Sequence, residues 1–492
     1  MKSLFELLAF LECTVIPDGA ADVSIDDLCL DSRKSTKGTL FCALKGEAFD
    51  GHAFITEAID AGASAILCET LPSLGEATTV PMQAIPHLYQ KLGALADYFY
   101  DHPSSKLRMI GVTGTNGKTS TTHYLAQYLH LMGKKSAVIG TVGNGIWGHI
   151  SETNCTTPDV LSLHKTLAYF VAEQVEYVAM EVSSHALAQN RVDGVRFEAA
   201  IFTNLSRDHL DYHKNMQQYA EAKAKLFARS ELKYAIVNEE DVYAPLMVRA
   251  LHPAVRCVMV SPTQHEEGRD HYVFAKDLTH SDSITSFQLY SPWGHFPVKI
   301  NLIGEFNVTN IMMGITALSI MGFPAEELAN LSFFIQPVLG RMEPLRLPKL
   351  PLIIIDFAHT PDALEKALQS LQLYDRTIWL VFGCGGNRDA GKRPLMAKIA
   401  EYYADHVIVT EDNSRLEDIE TIFAEIRKGF QYPDNIIFIE DRTDAILYAL
   451  KEAARGDIII LAGKGHETYL DKAGHKEHYD EREVVMKYFM AR

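Results

Sequence analysis

The plainest chemistry in the chain is carried by Gly111-Val112-Thr113-Gly114-Thr115-Asn116-Gly117-Lys118-Thr119. Glycines at such a bend let backbone N–H groups wrap phosphate oxygens. The Lys118 ammonium can then meet β/γ-phosphate charge, and the Thr119 hydroxyl can reach a magnesium ion. Five residues rather than the usual four separate Gly111 from Gly117, so this is a variant of the common phosphate loop. The alternative is a bare Gly-rich turn between strand and helix, and the Gly-Lys-Thr ending argues against it. Five apolar runs of the final third, LIIIDFAH, TIWLVFGCGG, HVIVTEDN, NIIFIEDR and DIIILAGKGH, also end in residues that could do chemistry. Open parallel sheets bind ligands at the carboxyl ends of their strands, so these are candidate binding positions.

Elements must hold these residues in place. LRMIGV before the loop reads as a strand, and THYLAQYLHLMG after it as a long amphipathic helix. SAVIGTV, YVAMEV, AAIFTNL and YAIVN are near-continuous apolar runs, of the kind buried on both faces of a parallel sheet. In the final third, five strand-then-polar-turn units describe a Rossmann-like sheet. The opening residues alternate LFCALKG, FITEAIDAG and ASAILCE, which suggests a small α/β domain. Leu88, Leu92, Leu95, Ala96 and Phe99 recur at helical spacing until His102-Pro103 breaks the pattern. The expected fold is therefore three α/β domains: 1–87, small and N-terminal; 88–336, a phosphate-loop nucleotide-binding domain with a mostly parallel sheet; and 337–492, Rossmann-like.

Bulk properties narrow the function. A chain of 492 residues, 47% hydrophobic and 22% charged, is long enough for several cores and reads as a globular enzyme. A net charge of −17 without a basic block argues against nucleic acid, while a local cleft of cations can still take a small anion. Seven scattered cysteines without Cys-x-x-Cys spacing indicate neither zinc nor a disulfide framework. The apolar start MKSLFELLAFLEC is interrupted by Glu6 and lacks a small-residue cleavage site, and no run approaches the ~20 residues of a membrane span. A cytoplasmic monomer without membrane insertion is expected.

TGTNGKTS resembles the phosphate loop of the Mur ligase family of peptidoglycan synthesis and its folylpolyglutamate synthase relatives. Further matches follow in family order: Glu181-Val182-Ser183-Ser184-His185, Thr203-Asn204-Leu205-Ser206-Arg207-Asp208-His209, Gly304-Glu305-Phe306-Asn307, Gly340-Arg341-Met342-Glu343, Asp356-Phe357-Ala358-His359 and Gly463-Lys464-Gly465-His466-Glu467. The resemblance implies an ATP-dependent amide ligase, in which the γ-phosphoryl group passes to a carboxylate and an amine attacks the acyl phosphate. Gly383-Cys384-Gly385-Gly386-Asn387-Arg388-Asp389 and Asp412-Asn413-Ser414-Arg415 resemble the branch that adds meso-diaminopimelate to the D-glutamate side chain of UDP-N-acetylmuramoyl-L-alanyl-D-glutamate. Ser414 stands where that branch usually has proline. Arg415 supplies the planar fork suited to the extra carboxylate that distinguishes diaminopimelate from lysine; on local sequence it could instead pair with Glu417 or Asp418.

Carried over residue by residue, the resemblance implies ATP contacts by Gly114, Thr115, Asn116, Gly117, Lys118, Thr119, Ser120, Asn307, Arg341, Asp356 and His359. Thr119 and Glu181 would hold one magnesium ion, and His209 and a carbamylated Lys223 would serve a second, the carbamate deriving from CO2; Lys118, Glu181, His209 and Lys223 form the catalytic set. The uridine diphosphate substrate would meet Ser32, Arg33 and the loop 45–52 (Gly46, Asp50, Gly51, His52), with Thr156, Thr157, Ser183, Gln189 and Arg191 on its peptide arm. The acceptor amino acid would meet Arg388, Asp412, Asn413, Ser414, Arg415, Gly463 and Glu467. Closure about a hinge near residues 336–340 is expected to complete the site. Three alternatives stand beside this reading: a lysine-adding counterpart, a folylpolyglutamate synthase-like ligase, and a non-catalytic nucleotide-binding regulator, although Lys118, Glu181 and His209 are all present.

Overall fold

Aliphatic and β-branched runs become buried parallel strands, and the polar residues that end them become loops. The computed structural model describes residues 1–17, 19–46, 50–71, 79–153, 155–263, 271–281 and 284–491. The chain divides into two compact units, Met1–Ile110 with Lys134–Glu198, and Gly111–Gly133 with Ala199–Arg492.

In the first unit, strands Asp27–Cys29, Thr39–Ala43, Ala65–Cys68 and Met82–Ala84 pair in that order, all parallel. Helix Leu88–Phe99 sends Leu88, Leu92, Leu95, Ala96 and Phe99 into the same core as Leu4, Leu7 and Leu8 of the first helix. Its periodic apolar face is thus spent on the N-terminal sheet. Further on, strand Ser136–Ile139 pairs in parallel with Tyr177–Glu181 and antiparallel with Asn144–Ile146. Helix Val160–Ala172 starts at Asp159, whose carboxylate accepts from the N–H groups of Leu161 and Ser162.

In the second unit, Ala199–Phe202, Tyr234–Asn238, Arg256–Ser261 and Tyr272–Ser281 run parallel, and Ile284–Ser291 and Gly294–Ile300 continue the sheet antiparallel. The sequence reading named the first two of these strands and not the other four. Only alternate residues of Ile284–Ser291 are buried, so no continuous apolar run announces it. One expectation is corrected. The helix after the phosphate loop, Lys118–Leu131, is not amphipathic: every residue from Thr119 to Leu129 is buried. Its polar side chains face a second buried helix, Phe306–Ile320, and the segment 332–336 beyond that helix. The Tyr124 hydroxyl donates to Asn307 Oδ1 at 2.9 Å, Tyr128 pairs with Ser332 at 2.6 Å, and Gln127 donates to the Gln336 carbonyl at 3.0 Å. Polar residues with buried partners imitate a wet face in the sequence.

The C-terminal sheet has the order Glu343–Leu345, Leu352–Asp356, Ile458–Ala462, Ile378–Phe382, His406–Val409, Ile437–Phe438, parallel except at the first edge. All five expected strands are present. Helices cover both faces, with Leu364, Leu368 and Met396 packed on one and Ile446, Leu450 and Val485 on the other. Among the described residues no helix is long and apolar enough to cross a membrane.

Candidate active site

Strand Arg108–Thr113 leads into the phosphate loop, and helix Lys118–Leu131 leaves it. Gly114 has φ +152° and Gly117 φ +83°. A Cβ at Gly114 would lie 1.8 Å from the Thr203 hydroxyl, and one at Gly117 2.8 Å from Asn310 Oδ1, so both positions require glycine. The segment from Thr203 to His209 wraps the bend. Thr115 N–H donates to the Asn204 carbonyl (2.8 Å), Asn116 N–H to Asn204 Oδ1 (3.0 Å), and Ser206 N–H to the Thr115 hydroxyl (3.0 Å).

Two lysines converge on this loop. Lys118 Nζ donates to the carbonyls of Gly114 (2.9 Å) and Thr115 (2.8 Å), and Lys223 Nζ donates to the same Gly114 carbonyl at 2.7 Å. Lys223 is 1% exposed and lies 4.6 Å from the Tyr219 ring centroid. Burial, and then the Lys118 charge, pushes its ammonium far below the ordinary lysine range. Lys225, two residues on, caps the helix instead. His209 is half-exposed, 3.4 Å from Asp208. Burial raises the Asp208 carboxyl, but His209, His359 and Lys392 outweigh it and hold the group below its usual range.

The C-terminal sheet sends residues to the same loop. Arg341 Nη2 donates to the Thr119 hydroxyl at 3.2 Å while its guanidinium lies 4.4 Å from the Phe357 ring centroid. Asp356 accepts from the N–H groups of Met342 (2.7 Å) and Ala358 (2.9 Å), and burial raises its carboxyl. His359 Nδ1 bonds the Phe357 carbonyl at 2.7 Å, and its own carbonyl accepts from Lys392 at 2.7 Å. Asn116 donates to Asp362 at 2.7 Å. Ser120 is buried in the first turn of the helix. Asn307 is 2% exposed, its amide occupied by Tyr124, the Ile303 carbonyl and Asn310, so it braces the helix that follows the loop.

In the other unit, Glu181 is fully buried at the end of its strand. Its carboxylate accepts from Thr141 N–H (2.8 Å) and the Thr141 hydroxyl (3.1 Å), and its carbonyl from the Thr157 hydroxyl (2.9 Å). Thr141 also bonds Thr156 at 3.0 Å, and Ser183 N–H donates to Thr157 at 3.1 Å. Arg191 reaches the Thr157 carbonyl (3.3 Å) and the Gln189 side chain. Thr156, Thr157, Glu181, Ser183, Gln189 and Arg191 thus form one cluster. In the N-terminal sheet, Ser32 is buried, Arg33 is exposed on Asp31, and Asp50 accepts from His52 Nδ1 at 2.7 Å beside Gly51. Gly46 precedes residues 47–49, the part of the expected loop that lies outside the described residues.

The expected acceptor residues also meet. Asn413 Oδ1 accepts from Lys464 (2.9 Å) and Asp471 N–H (2.9 Å), and its Nδ2 donates to Glu467 (2.9 Å). Asp412 is buried; burial acts to raise its carboxyl, and Lys464 and Arg442 overcome this and hold it low. Gly463, at φ +117°, brings its backbone so close to Asp412 that a Cβ would lie 2.7 Å from Oδ2. Arg415 Nη1 donates to the Gly386 carbonyl at 2.7 Å. The Glu417 carboxylate is held by buried Arg393 at 2.6 Å, and Asp418 caps the next helix by accepting from Thr421 N–H at 3.1 Å, so each carboxylate of the ion-pair alternative for Arg415 has another partner. Ser414 accepts on its carbonyl from Glu417 N–H at 3.0 Å, so the loop is tethered without a proline. Arg388 is exposed.

Comparison with known proteins accounts for this arrangement. A UDP-N-acetylmuramoyl-L-alanyl-D-glutamate–2,6-diaminopimelate ligase of Haemophilus ducreyi is 42% identical over 505 residues, covering 99% of each chain. The chain belongs to the Mur ligase family. The ligase of the same name from Xanthomonas campestris pv. campestris is 45% identical over 485 residues, with 97% of each chain covered. A solved structure of a so-named ligase superposes with a TM-score of 0.70 at 34% identity, covering 100% of this chain and 99% of that one. The Mur ligase catalytic domain matches residues 24–100, the Mur ligase middle domain 112–318, and the Mur ligase glutamate ligase domain 340–465. This Mur ligase therefore has three α/β domains, with a nucleotide-binding middle and a Rossmann-like C-terminal domain, and is an ATP-dependent amide-bond ligase.

Sequence reasoning passed over several residues that the Mur ligase fold brings to these clusters. Thr141 holds Glu181, and its signal is the strand-ending Gly140-Thr141. Asp362 meets Asn116 from the first turn of helix Pro361–Gln372, and Lys464 sits inside the Gly-Lys-Gly-His motif without having been given a role. Among the described residues no three His, Cys, Asp or Glu side chains cluster as a metal cage.

Proposed function

We propose that this chain joins meso-diaminopimelate to the D-glutamate side-chain carboxylate of UDP-N-acetylmuramoyl-L-alanyl-D-glutamate, yielding the UDP-linked tripeptide, ADP and phosphate. The observation that carries the acceptor choice is Arg415. Its guanidinium is anchored through Nη1 alone, beside Asn413 and Glu467, and so offers a fork to a carboxylate that lysine lacks. The names of the relatives support the same reaction.

Lys118 and the loop N–H groups hold the β- and γ-phosphates, and Arg341, Asp356 and His359 line the nucleotide from the third domain. In the phosphoryl transfer the carboxylate oxygen attacks the γ-phosphorus and ADP leaves. The acceptor amine then attacks the acyl carbon, loses a proton and expels phosphate. Cations fixed around these oxygens stabilise the charge that develops. Thr119, Glu181, His209 and Lys223 would hold magnesium, which when bound neutralises phosphate charge. Lys223 would do so as a carbamate; its burial and its suppressed ammonium supply the neutral amine that CO2 requires. Ser32, Arg33, Asp50 and His52 take the uridine diphosphate, and Thr156, Thr157, Ser183, Gln189 and Arg191 the peptide arm. Domains 1–87, 88–336 and 337–492 divide these tasks in a cytoplasmic monomer.

Phosphate release tests the reading. It is expected only with ATP, the UDP-muramoyl dipeptide and diaminopimelate together, and Lys118→Ala is expected to lower it by at least a thousandfold. Turnover with folate and glutamate instead, or full activity of Lys118→Ala, would overturn it.

A further inference from the structure

Lys464 is 0% exposed, yet its ammonium touches the expected acceptor residues from within the protein. It donates to Asn413 Oδ1 at 2.9 Å and to Glu467 Oε2 at 2.8 Å, and it lies 5.0 Å from the Tyr469 ring centroid. An ammonium has donors only. It therefore dictates which end of the Asn413 amide faces it. With Oδ1 committed to Lys464 and to Asp471 N–H (2.9 Å), Nδ2 must point the other way, and it donates to Glu467 Oε2 at 2.9 Å. Oε2 thus receives two donors. Oε1 has only the Tyr469 hydroxyl at 3.5 Å, a distance at which little hydrogen bonding is left.

We infer that Lys464 is a positioning and specificity residue for the acceptor amino acid: it locks the Asn413 amide and occupies Glu467 Oε2, so that Glu467 Oε1 is presented to the acceptor's non-reacting ammonium. This rests on the proposed acceptor site. A zwitterionic head group needs an anion for its ammonium as well as Arg415 for its carboxylate. The buried Lys464 charge repels an ammonium approaching Oε2 and leaves one productive approach. Removing it would leave Asn413 Oδ1 with Asp471 N–H alone and Glu467 Oε2 with the Asn413 amide alone, so that the Glu467 carboxylate could rotate away from the acceptor.

The test is steady-state kinetics of the full-length enzyme with diaminopimelate, ATP and the UDP-muramoyl dipeptide. Lys464→Met is expected to raise KM for diaminopimelate at least tenfold while KM for the other two substrates stays within twofold. Combining it with Asn413→Ala should add little beyond the worse single variant. Lys464→Gln, which keeps a shorter, uncharged donor, should recover part of the affinity. A folded Lys464 variant with unchanged diaminopimelate KM overturns the inference. If Arg415→Ala also leaves that KM unchanged, the acceptor-site reading itself fails; if Arg415→Ala raises it and the Lys464 variants do not, only the role of Lys464 falls. A crystal structure of the wild-type enzyme with diaminopimelate gives a check independent of variant folding. It should place an ammonium about 3 Å from Glu467 Oε1, and an ammonium bound elsewhere refutes the inference.

Discussion

Arg415→Lys is the sharpest perturbation of acceptor choice, because it keeps the charge and removes only the geometry. Arg415 adopts φ +54°, and its N–H donates to the Asp471 carbonyl at 2.9 Å. Its Nη1 is spent on the Gly386 carbonyl at 2.7 Å, with a second carbonyl, that of Asn413, at 3.5 Å. Nε and Nη2 make no hydrogen bond among the described residues, and together they present two parallel N–H groups. A lysine has one nitrogen to serve both the Gly386 carbonyl and a ligand carboxylate. Each charge-assisted hydrogen bond contributes about 1.5–3 kcal/mol, so losing one of two from the acceptor should cost roughly 1.5–3 kcal/mol, or about 10- to 150-fold in affinity. The assay is phosphate release across a panel of acceptors. KM for diaminopimelate should rise by that factor in Arg415→Lys, and KM for L-lysine, which has no carboxylate there, should barely change. A rise below threefold, or a wild-type enzyme that prefers L-lysine, would refute the reasoning.

Lys223→Ala should abolish turnover, and short carboxylic acids such as formate should restore part of it by supplying anionic oxygens in the vacated space; wild-type enzyme equilibrated with ¹³C-bicarbonate should show a carbamate carbon resonance that the variant lacks. Glu481→Ala breaks a pair in which Arg442 is 0% and Glu481 1% exposed, 2.8 Å apart; because Arg442 keeps the carbonyls of Glu411 and Ala462, the loss should sit near the lower end of the about 3–5 kcal/mol for a broken buried pair, read from denaturant unfolding. Burial first, and then the Arg341 charge, lowers His466 to about 3 and His123 to about 4. Unfolded, both imidazoles titrate near 6.5, so unfolding takes up protons only below that pH. Stability should be indifferent to these two groups above about pH 7 and fall as pH drops from 6.5 toward 4, by up to about 2.7 kcal/mol per unit for two protons, as unfolding midpoints measured against pH would show.

What was legible in the sequence was whatever local chemistry alone determines. Gly-Lys-Thr between an apolar strand and a helix announces a phosphate loop, and the runs of isoleucine in LIIIDF and DIIILAG announce central parallel strands. Long-range pairing was not legible. Nothing near Arg415 says that Glu417 belongs to Arg393, a residue two dozen positions earlier that is almost wholly enclosed. Nor could spacing show that the tyrosines and Gln127 of the phosphate-loop helix have partners near residues 307–336, so a helix buried all round read as one with a wet face. Ile284–Ser291 escaped notice because five of its eight residues stay partly exposed, and the period-2 signal is weak over so few residues.

In a chain of net charge −17, the phosphate loop draws two lysine nitrogens to one carbonyl. Lys118 and Lys223 both donate to the Gly114 oxygen, but they are not equivalent. Lys118 begins the helix and bonds two neutral carbonyls, which are weaker acceptors than phosphate oxygens; exchanging them for a triphosphate is therefore favourable. Lys223 is enclosed, and burial disfavours its charged form; as the neutral amine or as the N–H of the proposed carbamate, its Nζ can stay on Gly114 and keep that carbonyl satisfied while Lys118 swings to the ligand. The loop can then trade one lysine for phosphate without leaving its own carbonyl unpaired. Lys223→Met should accordingly weaken ATP binding as well as catalysis, whereas a residue serving chemistry alone would leave the nucleotide dissociation constant, measured by calorimetry, where it was.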